Sequence, residues 1–196
     1  MHPSSHLIVS WLVGQHLPER RDRLLVAYAG VAPDLDGLSL LAGVDAYGQW
    51  HHVLTHGAVG AALVALVAAR LAKDRLRVCL LAATAFHLHL LCDFFGSGHG
   101  WGLTYWYPFS TLEYMSPIQW DLNAWPNVLA TTLALGLSGW LAVRNGHSVA
   151  ETVLPARWDA VIVETLKNRF GKQSAFDEMN QVSIAENRTQ SSRLIG

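Results

Sequence analysis

Two histidines and an aspartate interrupt the apolar stretch of residues 78–95, at His87, His89 and Asp93. His89 and Asp93 are four residues apart, so a helix places both side chains on one face. Burying ionisable side chains in an apolar helix costs free energy, which either a mutual hydrogen bond or a metal ion can offset. Both interpretations are open at this point. His87 falls on another side of the helix and is interpreted as a core histidine, with a general acid or a partner of a metal ligand as the alternative.

Two aspartates form a second polar motif. Asp34 and Asp36 lie between Pro33 and Gly37, at a corner between apolar segments. Carboxylates at such a corner can bind a cation, or one of them can cap a following helix. His6 lies in the first turn of the helix predicted near the N-terminus, where it is either a metal ligand or a surface or capping histidine.

Three histidines occur within six residues, at His51, His52 and His56, just before another apolar helix. A short charged turn around Arg75 separates that helix from the next. His56 and Asp93 are almost equally far from Arg75 along the chain, so an antiparallel helical hairpin brings them to the same level. The sequence therefore predicts that these polar motifs converge at one end of the hairpin.

The elements that position these motifs are predicted to be helices of an all-α bundle. Apolar helices are expected from His6 to Val13 and over residues 24–31, 57–72, 78–95 and 126–143. Charged residues 19–23 and 73–77 are predicted to be turns, residues 43–50 a loop, and residues 96–125 a long, aromatic-rich connection. An amphipathic helix over residues 157–172 and a disordered tail over 174–196 complete the chain. We therefore divide it into a helical domain, 1–145, and a C-terminal segment, 146–196.

The amino-acid composition and net charge argue against some classes of protein. The chain has 196 residues, of which 51% are hydrophobic and only 15% charged, and its net charge is −1. A nucleic-acid partner is therefore not expected. Cys79 and Cys92 match no zinc spacing and are interpreted as reduced core residues.

The apolar helices predict an integral membrane protein with the lipid bilayer as a partner, although most are at the lower length limit for a span. Arg75, Arg77 and Arg144 lie at helix ends that would face the cytoplasm by the positive-inside tendency. The histidines and aspartates then lie towards the outer face of the inner membrane. The alternative is a soluble cytoplasmic bundle of buried helices.

The order of the polar motifs resembles the bacterial and archaeal family of membrane-bound metal-dependent hydrolases. The resemblance rests on Ser5-His6, Gly-x-x-Pro-Asp-x-Asp from Gly30 to Asp36, His51 and Thr55-His56, His89 with Asp93, and Trp-Tyr-Pro-Phe at 106–109. It covers residues 1–110 and departs from the family pattern at His52, where Arg is usual. The His-x3-Asp helix is also distantly similar to zinc-dependent phospholipase C, an all-helical phosphodiesterase.

The resemblance implies a hydrolase in which metal-activated water attacks a phosphoester of a lipid or other small molecule. Seven candidate ligands are more than one zinc ion takes and predict two ions: His6, Asp34, Asp36, His51, His56, His89 and Asp93. Zinc is favoured, and manganese or iron also suits such ligands. Two catalytic residues are predicted: His52 as a general acid or a partner of a ligand, and Asp36 as a carboxylate bridging the ions. The alternative is a non-enzymatic membrane protein that binds or senses metal.

Overall fold

A computed structural model describes residues 1–171, and this part of the chain is all-helical, as predicted. Its α-helices are α1 (Pro3–Gly14), α2 (Arg20–Ala29), α3 (Val44–Trp50), α4 (Ala58–Leu71), α5 (Arg75–Gly96), α6 (Trp125–Asn145) and α7 (Ala156–Phe170). Two 3₁₀ segments, Ala32–Ala42 and Val149–Thr152, join helices. The long connection before α6 contains an isolated antiparallel bridge between Leu103 and Tyr114. The predicted tail, 174–196, lies outside the described residues.

Helices α4 and α5 form the predicted hairpin. The Asp74 side chain caps α5 by accepting a hydrogen bond from the backbone N–H of Arg77 at 3.3 Å. On the inner face of α5, Val78, Ala82 and Ala85 are fully buried in the core cluster shared with α2 and α4. These small residues allow neighbouring helices to approach closely, which fixes the level at which the polar ends of the helices meet.

Two local predictions were wrong. Residues 43–50 are not a loop, because Gly43 has a φ of 118° and redirects the chain into helix α3, which begins at Val44. Residues 19–23 are not a solvated turn, because α2 begins at Arg20 and Asp22 and Arg23 are buried. Asp22 accepts hydrogen bonds from the backbone N–H groups of Lys73 and Asp74, so it ties α2 to the bend of the hairpin.

A buried ion pair connects the N-terminal helices to the C-terminal segment. The Arg23 guanidinium donates to both carboxylate oxygens of Glu151, at 2.6 and 2.7 Å. The Trp11 indole N–H donates to the same carboxylate at 2.9 Å. Arg20 also donates to the backbone carbonyl of Glu151 at 2.7 Å. The start of the segment after residue 145 is therefore integrated with α1 and α2.

Helices α5 and α6 are long and apolar enough to cross a membrane. Helix α2 and the 3₁₀ segment that follows it are bent by 53° relative to each other. Taken together, they are also long and apolar enough to cross a membrane. Helix α6 leaves large apolar side chains such as Leu133, Leu137 and Trp140 exposed, as a lipid-facing helix does. Helix α4 has only 14 residues and is shorter than a typical span.

Candidate metal centre

The end of the hairpin opposite its bend carries a cluster of nitrogen and oxygen atoms around Asp93. The Asp93 Oδ2 lies 2.9 Å from His89 Nε2 and 3.7 Å from His56 Nε2. Asp34, from the first 3₁₀ segment, places Oδ1 3.7 Å from His89 Nε2. Each of the four residues offers one ligand atom within 4.8 Å of the others. The convergence predicted from the hairpin is thus confirmed.

The other ring nitrogens of the histidines have hydrogen-bond partners. His89 Nδ1 lies 2.8 Å from the Gly30 carbonyl oxygen, which can only accept, so Nδ1 carries a hydrogen and the neutral ring presents a lone pair at Nε2. His56 Nδ1 lies 2.9 Å from Asp36 Oδ2. The two Nε2 atoms face each other at 3.3 Å. Tetrahedral zinc with nitrogen ligands gives a spacing of about 3.3 Å, so this pair fits one ion.

Asp36 holds two histidines at once. Its Oδ1 lies 2.7 Å from His51 Nδ1 and its Oδ2 2.9 Å from His56 Nδ1, while the backbone N–H of Thr55 donates to it at 3.3 Å. These three ionisable residues form a second group that could hold a metal ion. Their separations are hydrogen-bond distances, and an outer carboxylate of this kind fixes the orientation and tautomer of ligating histidines.

His6 and His52 complete the surroundings of Asp93. His6 Nε2 lies 3.0 Å from Asp93 Oδ1, its ring stacks on His89 at 3.7 Å, and its buried Nδ1 has no hydrogen-bond partner among the described residues. His52 Nδ1 lies 3.3 Å from the Gly102 carbonyl oxygen, and its Nε2 lies 3.8 Å from Asp93 Oδ2. His52 also adopts a φ of 68°, a left-handed conformation that is uncommon outside glycine and is enriched at functional sites.

Electrostatics distinguish His52 from His56, two of the three histidines just before α4. Burial lowers the pKa of His52 to about 3, so its ring is neutral at physiological pH. Burial also opposes a charge on His56, but hydrogen bonds to Asp36 and Asp93 raise its pKa to about 9. At neutral pH His56 therefore carries a proton that a binding metal ion must displace.

A cavity of about 380 Å³ opens beside the cluster. Among its lining residues are Asp34, His51, His52 and Asp93, together with the aromatic side chain of Trp101. The centre can therefore combine metal ligands with space for a small molecule. The buried Asp34 Oδ2 has no hydrogen-bond partner among the described residues, as expected for an oxygen available to a ligand.

All seven predicted ligands and His52 lie in this one cluster. Their individual roles as ligands or catalysts stay predictions. His87 is outside the cluster, exposed on α5, and bonded to the Tyr105 hydroxyl at 2.9 Å, so it is not the core histidine that we expected. The carbonyls of Gly30 and Gly102, which orient His89 and His52, were not predicted from the sequence. Gly30 had one signal, its place at the start of the Gly-x-x-Pro-Asp motif, and an added Cβ there would lie 1.8 Å from the Ser10 hydroxyl oxygen.

Comparison with known proteins identifies the family of this chain. Searches of curated proteins and of solved structures found no match. The family model described as YdjM inner membrane protein matches residues 1–166, which include the whole His/Asp cluster, both candidate spans and most of α7. This chain therefore belongs to the YdjM inner membrane protein family.

Proposed function

We propose that the chain is a membrane hydrolase that holds a divalent metal ion in the His/Asp cluster and hydrolyses a phosphoester. The observation that carries this proposal is the position of Asp34 and Asp93, which belong both to the candidate ligand group and to the cavity wall. A structural metal site is closed, whereas a catalytic site keeps an open position for water and substrate. The cavity therefore favours a hydrolase over a non-enzymatic protein that binds or senses metal.

Asp34, His56, His89 and Asp93 would hold the ion, and their mixture of imidazole and carboxylate suits zinc best, with manganese or iron as alternatives. Such an ion supplies Lewis acidity and lowers the pKa of a water molecule. The group that includes His51 is already engaged in hydrogen bonds, so the contacts support one ion more directly than two. The two-ion site stays a prediction.

His51 is the better candidate for donating a proton to the leaving group. Its Nδ1 donates to Asp36, so a ring that also carries a proton on Nε2 would present that proton to the leaving group, and its half-buried side chain lines the cavity. This is the arrangement by which a carboxylate orients a histidine for acid–base catalysis. His52 is neutral at physiological pH because of its lowered pKa, so it suits a role beside the ligands better than that of an acid.

A phosphoester of a lipid or of a smaller molecule fits this setting. The cavity wall includes apolar Pro3 and Leu122 beside the ionisable groups, so it can contact both parts of an amphiphilic substrate. The site lies at the end of α5, one of the two helices long enough to cross a membrane. A site near the end of a span can receive substrates from the bilayer surface.

The first test is metal content. The purified protein is expected to retain at least one divalent ion per chain, and His89→Ala should lose it because Nε2 of His89 contacts both Asp34 and Asp93. His87→Ala is the matched control, since His87 is exposed on the same helix and outside the cluster. Equal metal content in the two variants would remove His89 from the site.

The second test is hydrolysis of bis(p-nitrophenyl) phosphate by the detergent-solubilised chain, with and without a chelator. We expect turnover that the chelator abolishes and that added zinc or manganese restores. His89→Ala should be inactive while His87→Ala keeps its activity. Metal binding without hydrolysis of this or any other phosphoester would favour the metal-binding alternative instead.

A further inference from the structure

A second cavity, of about 370 Å³, adjoins the first. Both cavities are lined by His51 and Trp101, so these two side chains form a shared wall. The first cavity has two of the candidate metal ligands, Asp34 and Asp93, in its wall. A molecule that spans the wall would place one part beside the ligands and another part in the second cavity.

The second cavity offers polar groups and a negative charge. Its lining includes the polar residues Gln49, Thr104 and Thr111 and the acidic residue Glu113. Among the described residues, neither cavity is lined by a lysine or an arginine. A hydroxyl or an ammonium group therefore finds partners in the second cavity, whereas a carboxylate or second phosphate finds no cation and faces Glu113.

Local backbone contacts hold Glu113 on this wall. The backbone N–H of Gly102 donates to Glu113 Oε1 at 3.1 Å, and the neighbouring residues Leu103 and Tyr114 form the antiparallel bridge. A Cβ added at Gly102 would lie 2.4 Å from Glu113 Cγ, so the absence of a side chain allows this approach. The carbonyl of Gly102 accepts from His52 on the other side, which links this wall to the candidate metal centre.

We propose that the second cavity binds the alcohol part of the phosphoester and selects a hydroxyl- or ammonium-bearing alcohol against an anionic one. This inference rests on the proposed hydrolase function. Hydrolysis consumes one water, whose oxygen forms a new P–O bond as the P–O bond to the alcohol breaks. In the overall reaction the water loses one proton and the alcohol oxygen gains one. His51 lines both cavities and is placed to donate that proton as the alcohol leaves.

Two small phosphoesters test the selectivity without requiring turnover. Phosphoethanolamine and O-phosphoserine differ by a single carboxylate, and their binding to the zinc-loaded full chain can be measured by calorimetry. We expect phosphoethanolamine to bind more tightly. Glu113→Gln should reduce its advantage by about twofold to fivefold, because Glu113 is exposed and its charge is partly screened by water.

Glu164→Gln is the matched control, because Glu164 is exposed on α7 and lines neither cavity. It should leave the preference unchanged. Equal affinity for the two phosphoesters in the unmodified chain, or an equal effect of the two substitutions, would overturn the assignment of the second cavity.

A hydrolysis experiment separates this inference from the proposed function. Dihexanoyl phosphatidylethanolamine and dihexanoyl phosphatidylserine carry the same pair of alcohols on a lipid, and bis(p-nitrophenyl) phosphate carries neither. Faster hydrolysis of the ethanolamine lipid supports both proposals. If bis(p-nitrophenyl) phosphate is hydrolysed and the two lipids are hydrolysed at equal rates, the selectivity of the second cavity is rejected and the hydrolase function is retained. A binding preference without hydrolysis of any of the three rejects the hydrolase and retains the cavity.

Discussion

Replacing Asp36 by asparagine tests how the histidines are held. The carboxylate accepts from Nδ1 of His51 and of His56 at the same time. An asparagine side chain has one oxygen and one NH₂ group, so it can accept from only one of the two rings. The other ring must either lose its hydrogen bond or move its proton to Nε2. A proton on Nε2 of His56 blocks the atom that would bind the metal ion.

The size of the effect follows from this indirect role. Loss of an outer carboxylate typically weakens metal binding about 10- to 100-fold, which corresponds to about 1.4–2.7 kcal/mol. We expect Asp36→Asn to fall in this range for zinc and to lower any phosphoesterase activity in parallel. The fold should be retained, because asparagine preserves the size of the side chain and can still accept from the Thr55 N–H.

The assay is a zinc titration of the detergent-solubilised chain against a competing chelator, beside thermal unfolding of each variant. Asp45→Asn is the matched control, since Asp45 is exposed on α3. Zinc affinity within about twofold of the unmodified chain would refute a positioning role for Asp36, because an outer carboxylate should cost at least about tenfold. A far larger loss, or loss of a second ion, would identify Asp36 as a direct ligand.

Three further predictions concern pH, stability and topology. Because the pKa of His56 is raised from 6.5 to about 9, its ion pairs stabilise the metal-free protein below about pH 6.5 and are lost through pH 9. Zinc affinity should show the opposite trend and rise by up to about tenfold per pH unit towards pH 9 in chelator-competition titrations. Arg23→Ala should lower the free energy of unfolding by about 3–5 kcal/mol, measured by denaturant titration, because it removes both short hydrogen bonds between the guanidinium and the buried Glu151 carboxylate. That carboxylate would keep only the Trp11 indole N–H and a 3.8 Å contact with Arg20 Nε, whereas Arg75→Ala on the surface should have little effect. A reporter fused at the α4–α5 bend should be cytoplasmic and one fused just after α5 external, and the reverse result would contradict the expected orientation.

The sequence was sufficient to predict the hairpin and the convergence of its polar ends. Helical periodicity determines that His89 and Asp93 share a face, and equal distances from Arg75 determine that His56 meets them. Both features depend only on regular helix geometry. The side chains that the hairpin brings to the site could therefore be predicted from their spacing alone.

The orientation of each imidazole could not be predicted in this way. It depends on the carbonyls of Gly30 and Gly102 and on a carboxylate shared by two rings, and those contacts arise from tertiary packing. The buried pair of Arg23 and Glu151 was missed for a similar reason. A charged residue near the start of a helix is normally exposed to solvent. Glu151, the partner of Arg23, is distant in the chain and therefore gave no local signal.

The contact between Trp11 and Glu151 has a consequence for the order in which the protein is made. Helix α1 carries His6, but the indole N–H of its Trp11 has its partner beyond α6. A ribosome delivers both candidate spans to the membrane before it delivers Glu151. Until then α1 can pack against α2, α5 and α6, but the buried indole N–H of Trp11 lacks its hydrogen-bond acceptor. We therefore expect the nascent chain to insert its helices first and to complete the buried contacts of α1 only when synthesis is nearly finished.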